Sequence, residues 1–150
     1  MNPEDYLKNA RAYFWDETFA IIRSEHIYPE AFANITDKDE ITVIIDQSKL
    51  ENTGPAEIDN RDLSRINKKN ISGNEKHNHS ESEKNWKILT LDIVFPLDIV
   101  GILAKISGVL AERGISVLTI SAYSRDHFLI REKDMQEAIA ALKSLGISVH

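Results

Sequence analysis

The sequence has no cysteine, so disulfides, thiolate metal ligands and cysteine nucleophiles are excluded together. It has no basic run either, and a formal net charge of -6 with a pI near 5.4 would repel a phosphate backbone. No nucleic-acid partner is expected. Met1 to Trp15 carries Glu4, Asp5, Lys8 and Arg11, so it holds no unbroken apolar core of a secretory signal. The longest apolar stretch, Ile93 to Leu110, is broken by Asp98 and Lys105 and is apolar on one helical side only. No membrane partner is expected, a cytoplasmic location follows, and the sequons at Asn34, Asn70 and Asn78 are set aside.

Catalytic patterns are missing as well. No glycine-rich phosphate loop occurs, and no Gly-x-Ser-x-Gly turn presents a nucleophile. His77 and His79 form the only close histidine pair, in a polar stretch without a third ligand nearby, while His26, His127 and His150 are isolated. No metal, no cofactor and no enzymatic activity are expected.

What is present is a soluble, globular composition, 42% hydrophobic and 28% charged, in 150 residues: one ordinary domain or two very small ones sharing a core. Three parts are legible: 1–48, a polar linker over 49–85, and 86–150. In the first, Asn2-Pro3-Glu4-Asp5 reads as a helix start with Tyr6, Ala10 and Tyr13 on one side, against a competing strand at Arg11 to Trp15. Phe19 to Arg23 and Ile41 to Asp46 read as strands. Phe32 to Thr36 can pair with the latter across the polar turn Thr36 to Glu40.

Between Lys49 and Asn85, Asn, Asp, Glu, Lys and Ser dominate. Such a stretch buries too little apolar surface to offset an ordering cost of roughly 1 to 2 kcal/mol per residue. A mobile linker is expected, with room for a helical turn at Asn60 to Lys68 and disorder over Asn74 to Asn85.

From Trp86 the pattern sharpens. Trp86 to Val94 alternates as a strand with one face on a core. Pro96 and Asp98 open a helix with a buried stripe of Ile99, Ile102, Leu103, Ile106, Val109 and Leu110, stopped by Gly114. Ile115 to Tyr123 and His127 to Arg131 are strands around the turn Ser124 to Asp126. Asp134 and Glu137 form a capping box for a helix burying Met135, Ala138, Ile139, Leu142 and Leu145 and ending at Gly146. Gly-Ile-Ser-Val occurs twice, at 114–117 and 146–149, each time after a helix and before a strand. The order is βαββαβ, an α+β ferredoxin-like sandwich, whose short last strand leaves a sheet edge open to a partner.

Gly101, Ala104, Gly108 and Ala111 form a small-residue seam on the first of these helices. It admits two readings, close packing within the fold or a helix from a second copy. Asp98 and Gly101 pose a sharper question. The first turn of a helix offers unpaired amides and positive potential to a carboxylate, and a glycine lets a ligand reach the backbone. Asp98 either caps those amides or faces the ammonium of the same ligand. On the bland reading, Asp98 is only a cap and Gly101 only a packing glycine.

The run Phe95-Pro-Leu-Asp-Ile-Val-Gly-Ile-Leu-Ala-Lys-Ile-Ser-Gly-Val-Leu-Ala-Glu-Arg-Gly-Ile-Ser-Val117 resembles the opening of an ACT domain. Thr119-Ile-Ser-Ala-Tyr-Ser-Arg-Asp-His-Phe-Leu-Ile130 is similar to a narrower tandem-ACT group of small bacterial and archaeal proteins related to CASTOR, the eukaryotic arginine sensor. The likeness is strong from Trp86 to Gly146 and weaker from Thr18 to Ser48. It implies an ACT sandwich with a partial or complete second ACT-like half at the N-terminus, and a non-enzymatic module sensing a free amino acid at an interface between ACT units. Ligand positions carried over from the likeness are Asp98, Ile99, Val100, Gly101, Ala122, Tyr123 and Asp126. The implied partners are an amino acid, with a tilt toward a cationic one, and a second copy in a homodimer. A structural or protein-interaction module without a ligand is the alternative.

Overall fold

In the computed structural model, residues 2–50 and 82–150 are described. The helical turn expected at Asn60 to Lys68, the His77 and His79 pair and most of the expected linker lie outside them. In chain order the elements are α1 (Pro3–Leu7), β1 (Arg11–Phe14), β2 (Phe19–Ser24), β3 (Ala33–Thr36), β4 (Ile41–Asp46), β5 (Ser82–Leu91), α2 (Ile102–Ala111), β6 (Val117–Ser121), β7 (Asp126–Arg131), α3 (Met135–Ser144) and β8 (Ser148–Val149). The residues form two compact units, Met1–Thr18 with Asn85–His150, and Phe19–Lys84.

The first unit has the βαββαβ order β5-α2-β6-β7-α3-β8 and is an α+β, ferredoxin-like sandwich. Its sheet runs β6-β7-β5-β1-β8. Neighbours are antiparallel except for β1 and β8, which pair in parallel. Strand β1, from the N-terminal end of the chain, therefore lies between β5 and the last strand. This is why residues 1–18 fold with the C-terminal part, whereas composition groups them with 19–48. Both readings of the N-terminus are realised in succession: Asn2 Oδ1 accepts from the Glu4 amide at 3.1 Å to start α1, and a strand follows.

One core fills the space between the sheet and its helices. Leu89, Leu91, Phe128 and Ile130 from the sheet meet Ile102, Ile106 and Leu110 of α2 and Ala138, Ala141 and Leu142 of α3, with Leu7 and Ala12 beside them. The repeated Gly-Ile-Ser-Val has one mechanical cause. Gly114 (φ 70°) and Gly146 (φ 84°) take the left-handed conformation, and the next amides, Ile115 and Ile147, turn back to the carbonyls of Leu110 and Leu142 at 3.0 and 3.2 Å. Each helix thus ends in a Schellman motif whose isoleucine drops into the core before the next strand begins.

Several local expectations change. Strand β5 begins at Ser82, inside the stretch read as disordered, and Trp86 through Leu91 are all buried rather than alternately so. A strand between two others buries successive positions, and the two polar residues in this run, Lys87 and Thr90, are both hydrogen-bonded. The capping box at Asp134 does not form. A 3-10 turn, Glu132–Asp134, runs into α3, no side chain caps it, and Glu137 pairs with Arg113 at 3.0 Å instead.

The second unit contains the sheet β3-β4-β2, antiparallel throughout, with Ala20, Ile22, Ile41, Val43 and Ile45 in its own core. Its hairpin turn lies where the sequence puts it. Asp37 Oδ1 accepts from the amides of Asp39 and Glu40 at 2.7 and 2.9 Å, and these bonds hold its carboxyl below the usual carboxylate range.

Candidate functional site

Helix α2 begins at Ile102, four residues later than the sequence suggests. The reason is Gly101, which at φ 94° stands as a left-handed N-cap that a side chain would strain. Asp98 lies upstream in a turn closed by the Ile99 amide on the Pro96 carbonyl at 3.1 Å. It does not cap α2, whose start has no side-chain cap. Ile99 packs partly against the core, whereas Val100 is 82% exposed.

The other expected ligand positions lie at the β6–β7 connection. Ala122 donates its amide to the Arg125 carbonyl at 2.9 Å, closing the loop, and Asp126 pairs with Ser121 as the first residue of β7. Tyr123 at the tip is 87% exposed and belongs to no core. In a β-α-β-β order the loop after β5 and the β6–β7 connection leave the same end of the sheet. The tie between them runs through two residues outside the expected set. Arg125 Nη2 lies 3.0 Å from Asp92 Oδ1, and Arg11 Nη2 lies 3.6 Å from Asp92 Oδ2. Two guanidiniums share one carboxylate there.

Gly101 also has a neighbour that its sequence context could not announce. A Cβ built on it would stand 3.5 Å from Pro3 Cγ, so its open side faces α1. Tyr6 of α1 sets its ring edge-on to Phe95 at 6.1 Å, and Glu4 pairs with Lys105. The small-residue seam resolves differently. Gly108 has nothing within 4 Å of a built Cβ, and Ala104, Gly108 and Ala111 are exposed, so packing within the fold accounts for Gly101 and not for these three.

A part-buried polar chain centred on Thr90 lies on the other sheet face. Trp15 Nε1 donates to Thr90 Oγ1 at 2.9 Å, and that oxygen lies 2.8 Å from His127 Nδ1. Burial depresses the His127 pKa, with Asp126 opposing and Arg125 reinforcing. A neutral imidazole whose Nδ1 accepts the Thr90 hydroxyl proton fits both facts. Lys87, also buried, donates to the carbonyls of Asp16 and Glu17 at 2.6 and 2.8 Å. Sequence reasoning missed these groups because their partners are about 70 residues distant or on another strand. Among the described residues no group of three or more His, Asp or Glu is placed to hold a metal ion, and no helix is long and apolar enough to cross a membrane.

Residues 81–144 match the family model of the ACT domain. Solved structures share the fold along nearly the whole chain. A protein from Agobacterium tumefaciens superposes with a TM-score of 0.67 at 17% identity, covering 95% of this chain and 92% of its own. A protein of unknown function from Vibrio cholerae, titled a possible transport protein, gives 0.63 at 18%, covering 93% and 92%. The ligand-free regulatory subunit of aspartate kinase from Thermus thermophilus gives 0.54 at 9%, covering 93% and 98%. At such identities the likeness is one of fold. No curated protein matches the sequence.

Proposed function

We propose that this protein is a non-enzymatic regulatory module that binds a free amino acid at an interface between ACT units, in the cytoplasm and as a homodimer. The ACT match over residues 81–144 supports the reading, together with the neighbour that is a regulatory subunit of aspartate kinase. The observation that carries it is that the segment after β5, which holds 98–101, and the connection at 122–126 leave the same end of the sheet, where Arg125 pairs with Asp92 just past β5. In this reading Asp98 and Asp126 face the ligand's cationic groups, Ile99, Val100 and Gly101 offer backbone, and Ala122 and Tyr123 lie against its side chain. A cationic amino acid is the favoured class, in keeping with the similarity to the tandem-ACT group related to CASTOR.

Calorimetric titration with each of the twenty amino acids at millimolar concentration tests the reading, and silence across the set sinks it. A bulky substitution at Gly101 is a poor control, because φ 94° strains any side chain whether or not a ligand binds. Tyr123→Ser and Asp98→Asn are better, since both residues are exposed and outside the core. Each is expected to weaken binding by about tenfold, as for a lost stacking or charged contact, with the melting temperature unchanged.

The alternative, an interaction module without a ligand, draws on Leu97, Val100 and Tyr123, which are 84%, 82% and 87% exposed. It predicts self-association, measured by light scattering, that no amino acid alters.

A further inference from the structure

Helix α1 lies against the entrance of α2 through three contacts: Pro3 beside Gly101, the Tyr6 ring edge-on to Phe95, and Glu4 paired with Lys105. Its two ends are held differently. Leu7 is fully buried, and the Asn9 amide donates to the Gly146 carbonyl at 3.1 Å, so the C-terminal end is fastened in the core. Asn2 and Glu4 at the other end are exposed.

Lys105 stands one turn after Gly101, its amide bonded to the Gly101 carbonyl at 3.0 Å. Helical side chains lean toward the N-terminus, which carries its ammonium back over the start of α2. There it meets a carboxylate belonging to the chain itself.

We propose that this contact is autoinhibitory: Glu4 is an internal stand-in for the ligand carboxylate, occupying Lys105, and an amino acid binds by displacing the first turn of α1 and taking that cation. The inference rests on the amino-acid-binding reading given above, whose residues did not include Lys105 or Glu4. Two further points agree with it. The hydrogen bond and charge of Lys105 hold the Glu4 carboxyl below the usual carboxylate range, and a glutamate is in any case an anion at neutral pH, as the competing role requires. Half-exposed ion pairs are weak, so the latch is one that a millimolar metabolite can open.

The test is the direction in which two substitutions move amino-acid affinity, measured by calorimetry with the same twenty-compound screen on each protein. Glu4→Gln removes the competitor and leaves Lys105 free, and is expected to tighten binding about threefold to fivefold. Lys105→Gln leaves the Glu4 carboxylate facing that of the ligand without a cation between, and is expected to weaken it by a similar factor. A structural role for the pair would shift both variants the same way, and that result, or no shift in either, overturns the autoinhibition while leaving the sensing reading intact. Binding seen only in Glu4→Gln supports the proposal most directly. Silence in all three proteins overturns the sensing reading and leaves no site to inhibit.

Discussion

Thr90 concentrates several demands in one hydroxyl. It is fully buried, accepts from the Trp15 indole, and sits opposite His127 across two paired strands. Thr90→Val keeps the shape and strands two polar partners, at an expected cost of about 1 to 3 kcal/mol in denaturant unfolding, while Thr90→Ser costs less. The same site sets a pH dependence. The folded pKa of His127 lies below its ordinary value of 6.5, so between the two the unfolded chain binds more protons than the folded one. Stability that is present above about pH 6.5 is lost as pH falls toward the folded pKa. His127→Gln should flatten the fall in denaturation midpoint between pH 7.5 and 5. An unchanged slope would show that His127 is not the group responsible.

At the scale of single elements, α2 shows what a one-dimensional pattern can and cannot carry. Its buried stripe of Ile102, Ile106 and Leu110 follows from helical spacing, and its stop at Gly114 from the need for a left-handed residue. Its start does not follow from spacing, because Ile99 and Asp98 continue the pattern while Gly101 breaks the backbone. The candidate site shares this limit. Asp98 and Gly101 stand out by residue type, and Ile99, Val100, Ala122, Tyr123 and Asp126 join them as candidates only through the likeness to a family. The Asp92–Arg125 tie and the cover of α1 over Gly101 depend on contacts 33 and 98 residues apart, which no local pattern encodes. Gly108 offers a test within the helix. An alanine there meets open space and gains helix propensity, so Gly108→Ala should stabilise the protein by roughly 0.5 to 1 kcal/mol in chemical denaturation. If the seam seats a second copy at close range, the same methyl also weakens self-association in sedimentation experiments. Destabilisation of the isolated fold would show that the glycine serves the fold itself.

For the molecule as a whole, the decisive feature is that β1 is borrowed from the far end of the chain. The βαββαβ order was readable from 86–150 alone, and it suggests a unit complete in itself. The sheet contradicts that self-sufficiency, because β8 pairs with β1 at Arg11–Ser148 and Ala12–Val149, and β5 pairs with the other side of β1 from Ala12 to Phe14. Removing residues 1–18 would leave β8 without its parallel partner and strip Leu7, Ala10 and Ala12 from the core. Burial of a leucine alone is worth about 1.5 to 3 kcal/mol, and the net stability of a small domain is only about 5 to 15 kcal/mol. A fragment of residues 82–150 is therefore expected to lack a cooperative thermal transition by circular dichroism, and a synthetic peptide of residues 1–18 to restore one when added in excess. A fragment melting as sharply and as high as the full chain would mean that β1 decorates the fold and does not complete it. The consequence reaches the proposed regulation. The segment that completes the sheet also carries α1 with Glu4, so the internal competitor sits a few residues ahead of the buried anchor Leu7. On this proposal it is released locally and reversibly, by opening the first turn of α1 about that anchor.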